Sequence, residues 1–278
     1  MELPNYPTSF LYFNLAPAPM LSIIIVHYNQ ENLLKQCLRN ISEAKIGLEK
    51  EIIIIDNAFT AQSRDFLADW RKMEQNRRVI FNKENVGYAK ANNQGIKAAK
   101  GEYILILNAD VIVLPGSVEA LIGLLKQDSL VGLAGPQLLN IDKTIQDSCY
   151  RFPRFYTPLA RRTFLGKIFF KNELKRYSMR DFDHQQTREV DWLLGACLAG
   201  RKRILERVGL FDERYFLYLE DTDLARKIRQ NGFKTVYLPS AKMYHFYQRS
   251  SDKGGLFKKI VRIHIASALK YFWKWKKV

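Results

Sequence analysis

The sequence predicts an α/β protein with a mostly parallel central sheet flanked by helices, and three observations lead there. Leu21–Val26, Ile52–Ile55 and Tyr103–Leu107 are short apolar runs, the pattern of strands buried on both faces. Between them lie stretches with apolar residues at helical spacing, such as Leu33, Leu34, Cys37, Leu38 and Ile41, then Phe66, Leu67 and Trp70. Strands alternating with helices of this length argue for parallel pairing. Each run also ends in polar residues: His27-Tyr28-Asn29, Asp56-Asn57 and Asn108-Ala109-Asp110. Open α/β sheets bind ligands in the crevice beyond the carboxyl ends of their strands, so these endings are where a site is expected.

The remaining elements follow in order. Residues 1–20, rich in Pro, Tyr and Asn, read as an irregular arm, and Val79–Asn82 as a further strand. A Gly- and Asn-rich turn at Asn85–Gly87 leads into a short helix that Lys100-Gly101 stops. A helix from about Ser117 places Val118, Leu121, Ile122 and Leu125 on one face. After Gly135-Pro136 the pattern loosens, and 148–190 is basic and aromatic without clear periodicity. Order returns with Trp192-Leu193-Leu194-Gly195-Ala196-Cys197 and a helix over Arg201–Val208. Glu220-Asp221-Thr222-Asp223 opens another helix, closed by Asn231-Gly232 as Asn and Gly commonly do. Thr235–Leu238 reads as a last strand, with His245 soon after Pro239. The expected organisation is the arm, a domain over 21–250 in two halves (about 21–115 and about 116–250), and a tail over 251–278.

Composition bounds the function. With 278 residues, 47% hydrophobic and 26% charged, the chain can bury a full core. The net charge of +16 is regional: residues 151–180 carry nine Lys or Arg against Glu173 alone, and 253–278 carry eight against no acid. The rest of the chain balances, so the basicity points to a surface that meets something anionic. Three scattered cysteines without C-x-x-C spacing argue against a disulfide framework or a zinc site, and fit a reducing cytosol. No basic leader with a clean apolar run is visible, nor any stretch of about 18 apolar residues.

Several motifs, taken together, resemble the family 2 glycosyltransferases, inverting enzymes of the GT-A fold. S-I-I-I-V-H-Y-N resembles the family's opening strand, where Asn is more usual at His27. I-I-I-I-D-N-A-F-T resembles its second strand, with Phe59 replacing a small residue. N-V-G-Y-A-K-A-N-N-Q-G-I resembles the N-x-G-F-x-x-x-N-N-x-G-I block. L-N-A-D resembles the L-N-P-D form of the D-x-D motif, with Asn108 in place of the first acid and Ala109 in place of Pro. W-L-L-G-A-C-L, G-L-F-D-E-R-Y-F and Y-L-E-D-T-D-L-A-R-K-I-R-Q-N-G resemble the later acceptor and base motifs. The match runs over roughly 21–247 in family order, and the L-N-x-D and Y-x-E-D-x-D-L forms resemble the rhamnosyltransferase branch.

The resemblance implies a site, and it makes about 21–115 the nucleotide-sugar (donor) half and about 116–250 the acceptor half. Asp221 is the expected base for the acceptor hydroxyl; as plain helix chemistry, Glu220, Asp221 and Asp223 merely favour a helix start. Asp110 and His245 are the expected ligands of Mg²⁺ or Mn²⁺, with Asn108 beside them. Asp56 resembles the residue that reads the pyrimidine ring, with Tyr28 and Asn29 adjacent; otherwise it caps the following loop. Asn85 and Gly87 would shape the turn near the ribose and diphosphate, with Asn92 a contact or a helix residue. Trp192, Gly195, Ala196 and Glu220 would line the sugar and acceptor pocket, unless Trp192 is core. The implied reaction moves a sugar, L-rhamnose from dTDP-L-rhamnose being the preferred donor and a UDP-hexose or UDP-N-acetylhexosamine the alternative. The implied acceptor is a lipid-linked or polysaccharide glycan of cell-surface synthesis.

The tail adds a partner. At 100° per residue, Phe257, Ile260, Val261, Ile265, Ala268, Phe272 and Trp275 share one side, and Lys258, Lys259, Arg262, Lys270, Lys274, Lys276 and Lys277 the other. Such a helix suits the plane of an anionic membrane, or else packs on its own domain with a solvated basic face. The expected location is the cytoplasmic face of the cell membrane. A reading from another class, a non-catalytic basic protein binding membrane or nucleic acid on a degenerate transferase fold, is disfavoured because the basic segments avoid the strand ends. No nucleic-acid partner is expected.

Overall fold

The computed structural model describes residues 20–58, 60–246 and 259–276. Residues 1–19 of the N-terminal arm, Phe59, Phe257, Lys258 and Lys277 lie outside the described residues.

The donor half is built as β1 (Leu21–His27), α1 (Glu31–Glu43), β2 (Lys50–Asp56), α2 (Ala61–Trp70), β3 (Arg77–Phe81), α3 (Tyr88–Ala98) and β4 (Tyr103–Leu107). After β5 (Val111–Val113), α4 (Ser117–Gln127) and β6 (Val131–Leu139) come β7 (Cys149–Tyr150) and the short helices α5 (Thr157–Arg162), α6 (Phe164–Phe169) and α7 (Lys171–Tyr177). The chain continues through β8 (Arg188–Val190), β9 (Trp192–Leu193), β10 (Cys197–Arg201), α8 (Lys202–Arg207), α9 (Glu220–Gln230), β11 (Lys234–His245) and α10 (Lys259–Lys274).

A nine-stranded sheet runs in the order β3-β2-β1-β4-β10-β6-β11-β5, with β8 also paired to β11. The strands from β3 to β4 are parallel, whereas β10 runs antiparallel to both β4 and β6. The expected mostly parallel sheet therefore holds for the donor half, and the acceptor half is mixed. The strand order reverses around β1, since β2 and β3 lie to one side and β4 to the other. That reversal opens a crevice beyond the carboxyl ends of β1 and β4.

Side chains alternate across the sheet, as strand geometry requires. Leu21, Ile23 and Ile25 face α1, α2 and α4 in one core, while Ile24 faces α3, α8 and α9 in the other. Each isoleucine so buried contributes about 1.5–3 kcal/mol relative to exposure. The α1 helix buries Leu34, Cys37, Leu38 and Ile41 against this sheet. Thr60 caps α2 by accepting from the Ser63 N–H at 3.2 Å. All three cysteines are free and buried, and burial pushes Cys37 and Cys149 up to about 12. They are inert thiols.

Candidate active site

The elements bring the strand-ending residues to one edge of the sheet. Asp110 follows β4 and directly precedes β5, and β5 pairs antiparallel with the end of β11 so that Val111 lies opposite His245. The Phe246 N–H closes the register by donating to the Asp110 carbonyl at 2.9 Å. The imidazole Nε2 of His245 thus stands 3.5 Å from Asp110 Oδ1, a buried oxygen with no hydrogen-bond partner.

The tautomer of His245 follows from its neighbours. Gln146 Nε2 donates to Asn140 Oδ1 at 2.9 Å, so its Oε1, 2.7 Å from His245 Nδ1, is an acceptor. Nδ1 therefore carries a proton, and Nε2 is the ring nitrogen that faces the carboxylate oxygen. An imidazole nitrogen and a carboxylate oxygen so placed are donor types that suit Mn²⁺ or Mg²⁺. Among the described residues no cluster of three or more His, Cys, Asp or Glu side chains could hold a metal. Any ion here would complete its shell with other oxygens, such as those of a diphosphate.

At the start of α9, Asp221 lies across the crevice from β4. Its Oδ2 accepts from the Gly195 N–H at 3.0 Å, and its Oδ1 from the Thr222 N–H at 2.7 Å. Glu220 is 5% exposed, and its Oε2 has no partner. Burial, and then the charge of Asp221, raise Glu220 well above the ordinary glutamate value. Burial also raises Asp221, against the pull of its two N–H donors. The two donors offset part of the rise at Asp221, so Glu220 is the more strongly raised of the pair.

Tyr88 joins these parts and was not singled out from the sequence. Its hydroxyl donates to the Gly195 carbonyl at 2.7 Å, with Asn108 Oδ1 at 3.0 Å. Burial, with the nearby charges of Glu220, Asp221 and Asp110, holds that hydroxyl protonated well above the usual tyrosine range. The available signal was the tyrosine itself, at a position where the resembled block has Phe. Gln146 was also missed, and no local pattern marks it.

The other expected residues fall into place unevenly. Gly87 has φ +87°, and a Cβ there would stand 2.6 Å from the Phe216 carbonyl, which accepts from the Tyr88 N–H at 2.8 Å. Asn85 Oδ1 accepts from the Gly87 N–H at 2.9 Å and so shapes that turn. Asn92 donates back to the Tyr88 carbonyl within its own helix, leaving a buried Oδ1 with no partner. Its neighbour Asn93 clamps the later loop instead, exchanging hydrogen bonds with the Phe211 backbone. Ala196 is buried, and its carbonyl accepts from the Asn108 N–H. Tyr28 is half exposed and Asn29 takes φ +53°, so both stand at the open rim of the crevice.

Two expected site residues have their side chains fully engaged. Trp192 is buried, in line with the core alternative: it stacks on Tyr150 at 4.4 Å and its indole N–H donates to the Arg151 carbonyl. Asp56 is fully enclosed. His27 Nδ1 lies 3.0 Å from its Oδ1, which also accepts from the Ala58 N–H, and Ser63 Oγ donates to its Oδ2. Burial alone would raise this carboxyl, but the hydrogen bonds from His27, Ala58 and Ser63 outweigh it, and the group sits below the ordinary aspartate value. The Gln30 N–H donates to His27 Nε2, so the His27 ring, too, is satisfied.

The tail helix divides differently from the helical-wheel expectation. Val261, Ala268, Tyr271 and Trp275 are buried, so much of the predicted apolar side packs on the chain's own domain. Lys274, assigned to the basic side, is drawn inward to Asp212 and Asp223. The apolar residues left outside are Ile265, Leu269 and Trp273, at i, i+4 and i+8, exposed by 41, 65 and 69%. Several bases of 151–180 also pair internally, Arg154 and Arg176 with Glu173 and Arg180 with Asp147. Among the described residues no helix is long and apolar enough to cross a membrane.

Comparison with known proteins agrees with this geometry. The family model described as "Glycosyl transferase family 2" matches residues 22–208. An N-acetylglucosaminyl-diphospho-decaprenol L-rhamnosyltransferase of Mycobacterium tuberculosis is 27% identical over 248 residues, covering 84% of this chain and 78% of that one. Among solved structures, GalNAc-T7 with UDP, GalNAc and Mn²⁺ superposes with a TM-score of 0.70 at 15% identity, over 94% of this chain and 49% of that one. The mannosyltransferase PcManGT from Pyrobaculum calidifontis, in complex with GDP-Man and Mn²⁺, gives 0.58 at 20% identity, over 84% of this chain and 59% of that one. At these identities the solved structures speak for the fold alone. With the family model covering more than half of its length, the chain belongs to glycosyltransferase family 2 and is a glycosyltransferase.

Proposed function

We propose that this enzyme transfers L-rhamnose from dTDP-L-rhamnose, with inversion, to a sugar carried on a polyprenyl diphosphate. The observation that carries the reading is the Tyr88 hydroxyl, which links Asn108 past the end of β4 to the Gly195 carbonyl, while the Gly195 N–H holds Asp221. The acceptor hydroxyl attacks the anomeric carbon as its proton passes to Asp221, and the bond from that carbon to the diphosphate oxygen breaks. Backbone donors hold Asp221 ionised, as a base requires. Glu220, keeping its proton, donates a hydrogen bond to the bound sugar. Asp110 and His245 would hold Mn²⁺ or Mg²⁺, which when bound supplies positive charge to the departing diphosphate. Tyr28 and Asn29 would meet the base at the rim, over the His27–Asp56 pair. The similarity to a relative named for a decaprenol-linked acceptor supports the donor and acceptor assignment.

The test is thermal stabilisation by dTDP and by UDP, each with and without Mn²⁺. A ligand that binds only the folded state raises the melting temperature according to its affinity. The expected result is a Mn²⁺-dependent rise with dTDP that Asp110→Ala removes. A rise with UDP alone would keep the transferase and replace the donor; no rise with either would end the reading.

A lipid-linked acceptor calls for a place at the membrane. The Ile265–Leu269–Trp273 stripe, flanked by exposed Arg262, Lys270 and Lys276, fits the surface of an anionic bilayer. Vesicles with anionic lipid should sediment the wild-type protein and lose the Trp273→Ser variant. Equal sedimentation of both would remove this stripe from the reading.

A further inference from the structure

The C-terminal helix also grips the loop that delivers the base. Lys274 Nζ lies 2.8 Å from Asp212 Oδ2 and 2.7 Å from Asp223 Oδ1, so one ammonium ties together the two ends of the segment carrying Glu220 and Asp221. Trp275, just past the end of α10, donates from its indole N–H to the same Asp223 Oδ1 at 2.9 Å. The Tyr215 hydroxyl reaches that oxygen at 3.3 Å, and Asp223 itself is fully buried. Farther along α10, Ser267 donates to the Leu217 carbonyl at 2.8 Å, and Lys270 to the Arg214 carbonyl at 2.7 Å. The rings of Tyr218 and His264 stack at 4.5 Å. Tyr215, Tyr271 and Trp275 form an apolar cluster of their own, with Leu219 and Phe272 against it.

The gripped segment needs a clamp. Tyr218 and Leu219 take φ of +69° and +68° in succession, a left-handed conformation that bulky residues rarely adopt. Leu219 is also the N-cap of α9, and no side-chain cap closes that helix start. Such backbone persists only when its surroundings over-determine it. On one side those surroundings are Gly87 and the Tyr88 N–H, packed on Phe216. On the other side they are α10.

We infer that Lys274 and Trp275 are positioning residues for the transfer reaction: through Asp223 they fix the start of α9, and so the place of the Asp221 carboxylate against the acceptor hydroxyl. The inference rests on the proposed role of Asp221 as base. A helix that only added stability would leave turnover per folded molecule unchanged. A positioning helix instead lowers kcat far more than it raises the donor KM, because most of the donor's expected contacts lie at the ends of β1, β2 and β4.

The experiment compares wild type with Lys274→Arg, Lys274→Met and Trp275→Phe, with melting curves recorded for each. The probes are dTDP-L-rhamnose and a short-chain polyprenyl-diphosphate N-acetylglucosamine in detergent. Lys274→Met and Trp275→Phe should lower kcat roughly 10- to 100-fold with donor KM within about 2-fold, and Lys274→Arg should recover most of the rate. A folded Lys274→Met or Trp275→Phe with wild-type kcat overturns the inference, as does a donor KM that rises in step with the loss. If Lys274→Met fails to fold, Trp275→Phe, which keeps an aromatic ring in the cluster and removes the indole donor, carries the test. If the wild type transfers no sugar, the substrate assignment fails first, and amide hydrogen exchange over residues 212–223 then decides the clamp without any substrate. Faster exchange in Trp275→Phe supports the clamp, and unchanged exchange overturns it.

Discussion

At the end of β2, the carboxylate of Asp56 is enclosed by His27, Ser63 and the Ala58 N–H, each oxygen with a donor. Across the crevice, Asp110 Oδ1 and Glu220 Oε2 are buried with no donor at all. Asp56 ends β2 and Asp110 follows β4, whereas Glu220 opens α9. Burying a polar group without a partner costs about 1–3 kcal/mol, so an oxygen kept in that state points to a group that arrives later. The saturated acid has the marks of architecture; the orphaned ones have the marks of chemistry.

Substitutions can break or sharpen that contrast. The largest effect is expected at Asp221: Asp221→Asn should lower kcat by about 10³-fold, on the order of 4 kcal/mol in the barrier. Calorimetry should still find dTDP bound within a few-fold of wild type, and a variant that loses the nucleotide as well would misplace Asp221. Next is Asp56→Ala, which leaves His27 buried without its partner. It should cost about 3 kcal/mol in urea unfolding, with little change in the turnover of folded enzyme. Unchanged stability with weakened dTDP binding would instead make Asp56 a reader of the base, as the family resemblance implies.

The smallest effect carries a pH signature. Glu220 has a folded-state value raised above 4.5 by burial and by Asp221. A raised carboxyl contributes stability that is complete below the unfolded value and is lost as pH climbs toward the folded one. Glu220→Gln, which cannot ionise, should therefore match wild type at acid pH and melt roughly 2–4 °C higher at pH 8. A gain of equal size at both pH values would mean that Glu220 does not hold the proton.

How much of this was legible beforehand depended on how local the causes are. Tyr103–Leu107 and the α4 face of Val118, Leu121, Ile122 and Leu125 were readable because a strand or helix buried along its length writes its period into the sequence. The β6 strand was hidden by Gly135-Pro136, a pair that reads as a breaker. Its ladder with β10 ends at Ala134, so Pro136 interrupts no bond on that side. The β11 strand was seen only as far as Leu238, because an irregularity between Leu238 and Lys242 disrupts the alternation. The short α5, α6 and α7 are too brief to show a period.

The site divided in the same way. Motif order singles out Asp110 and Asp221, and His245 stands out only as an imidazole soon after the last predicted strand; the structure brings it to 3.5 Å from Asp110. The enclosure of Asp56 depends on His27 and Ser63, which arrive from a separate strand and from a helix turn. For the tail, 100° stepping gives faces but cannot say which face meets the protein. That choice was made by Asp212 and Asp223, far away in sequence.

The pairing of Val111 with His245 also has a consequence for synthesis. A ribosome releases β1 to β4 and Asp110 long before it releases β11. Until β11 docks beside β5, Asp110 has no imidazole facing it, so the Asp110–His245 pair is completed only once nearly the whole sheet has been made.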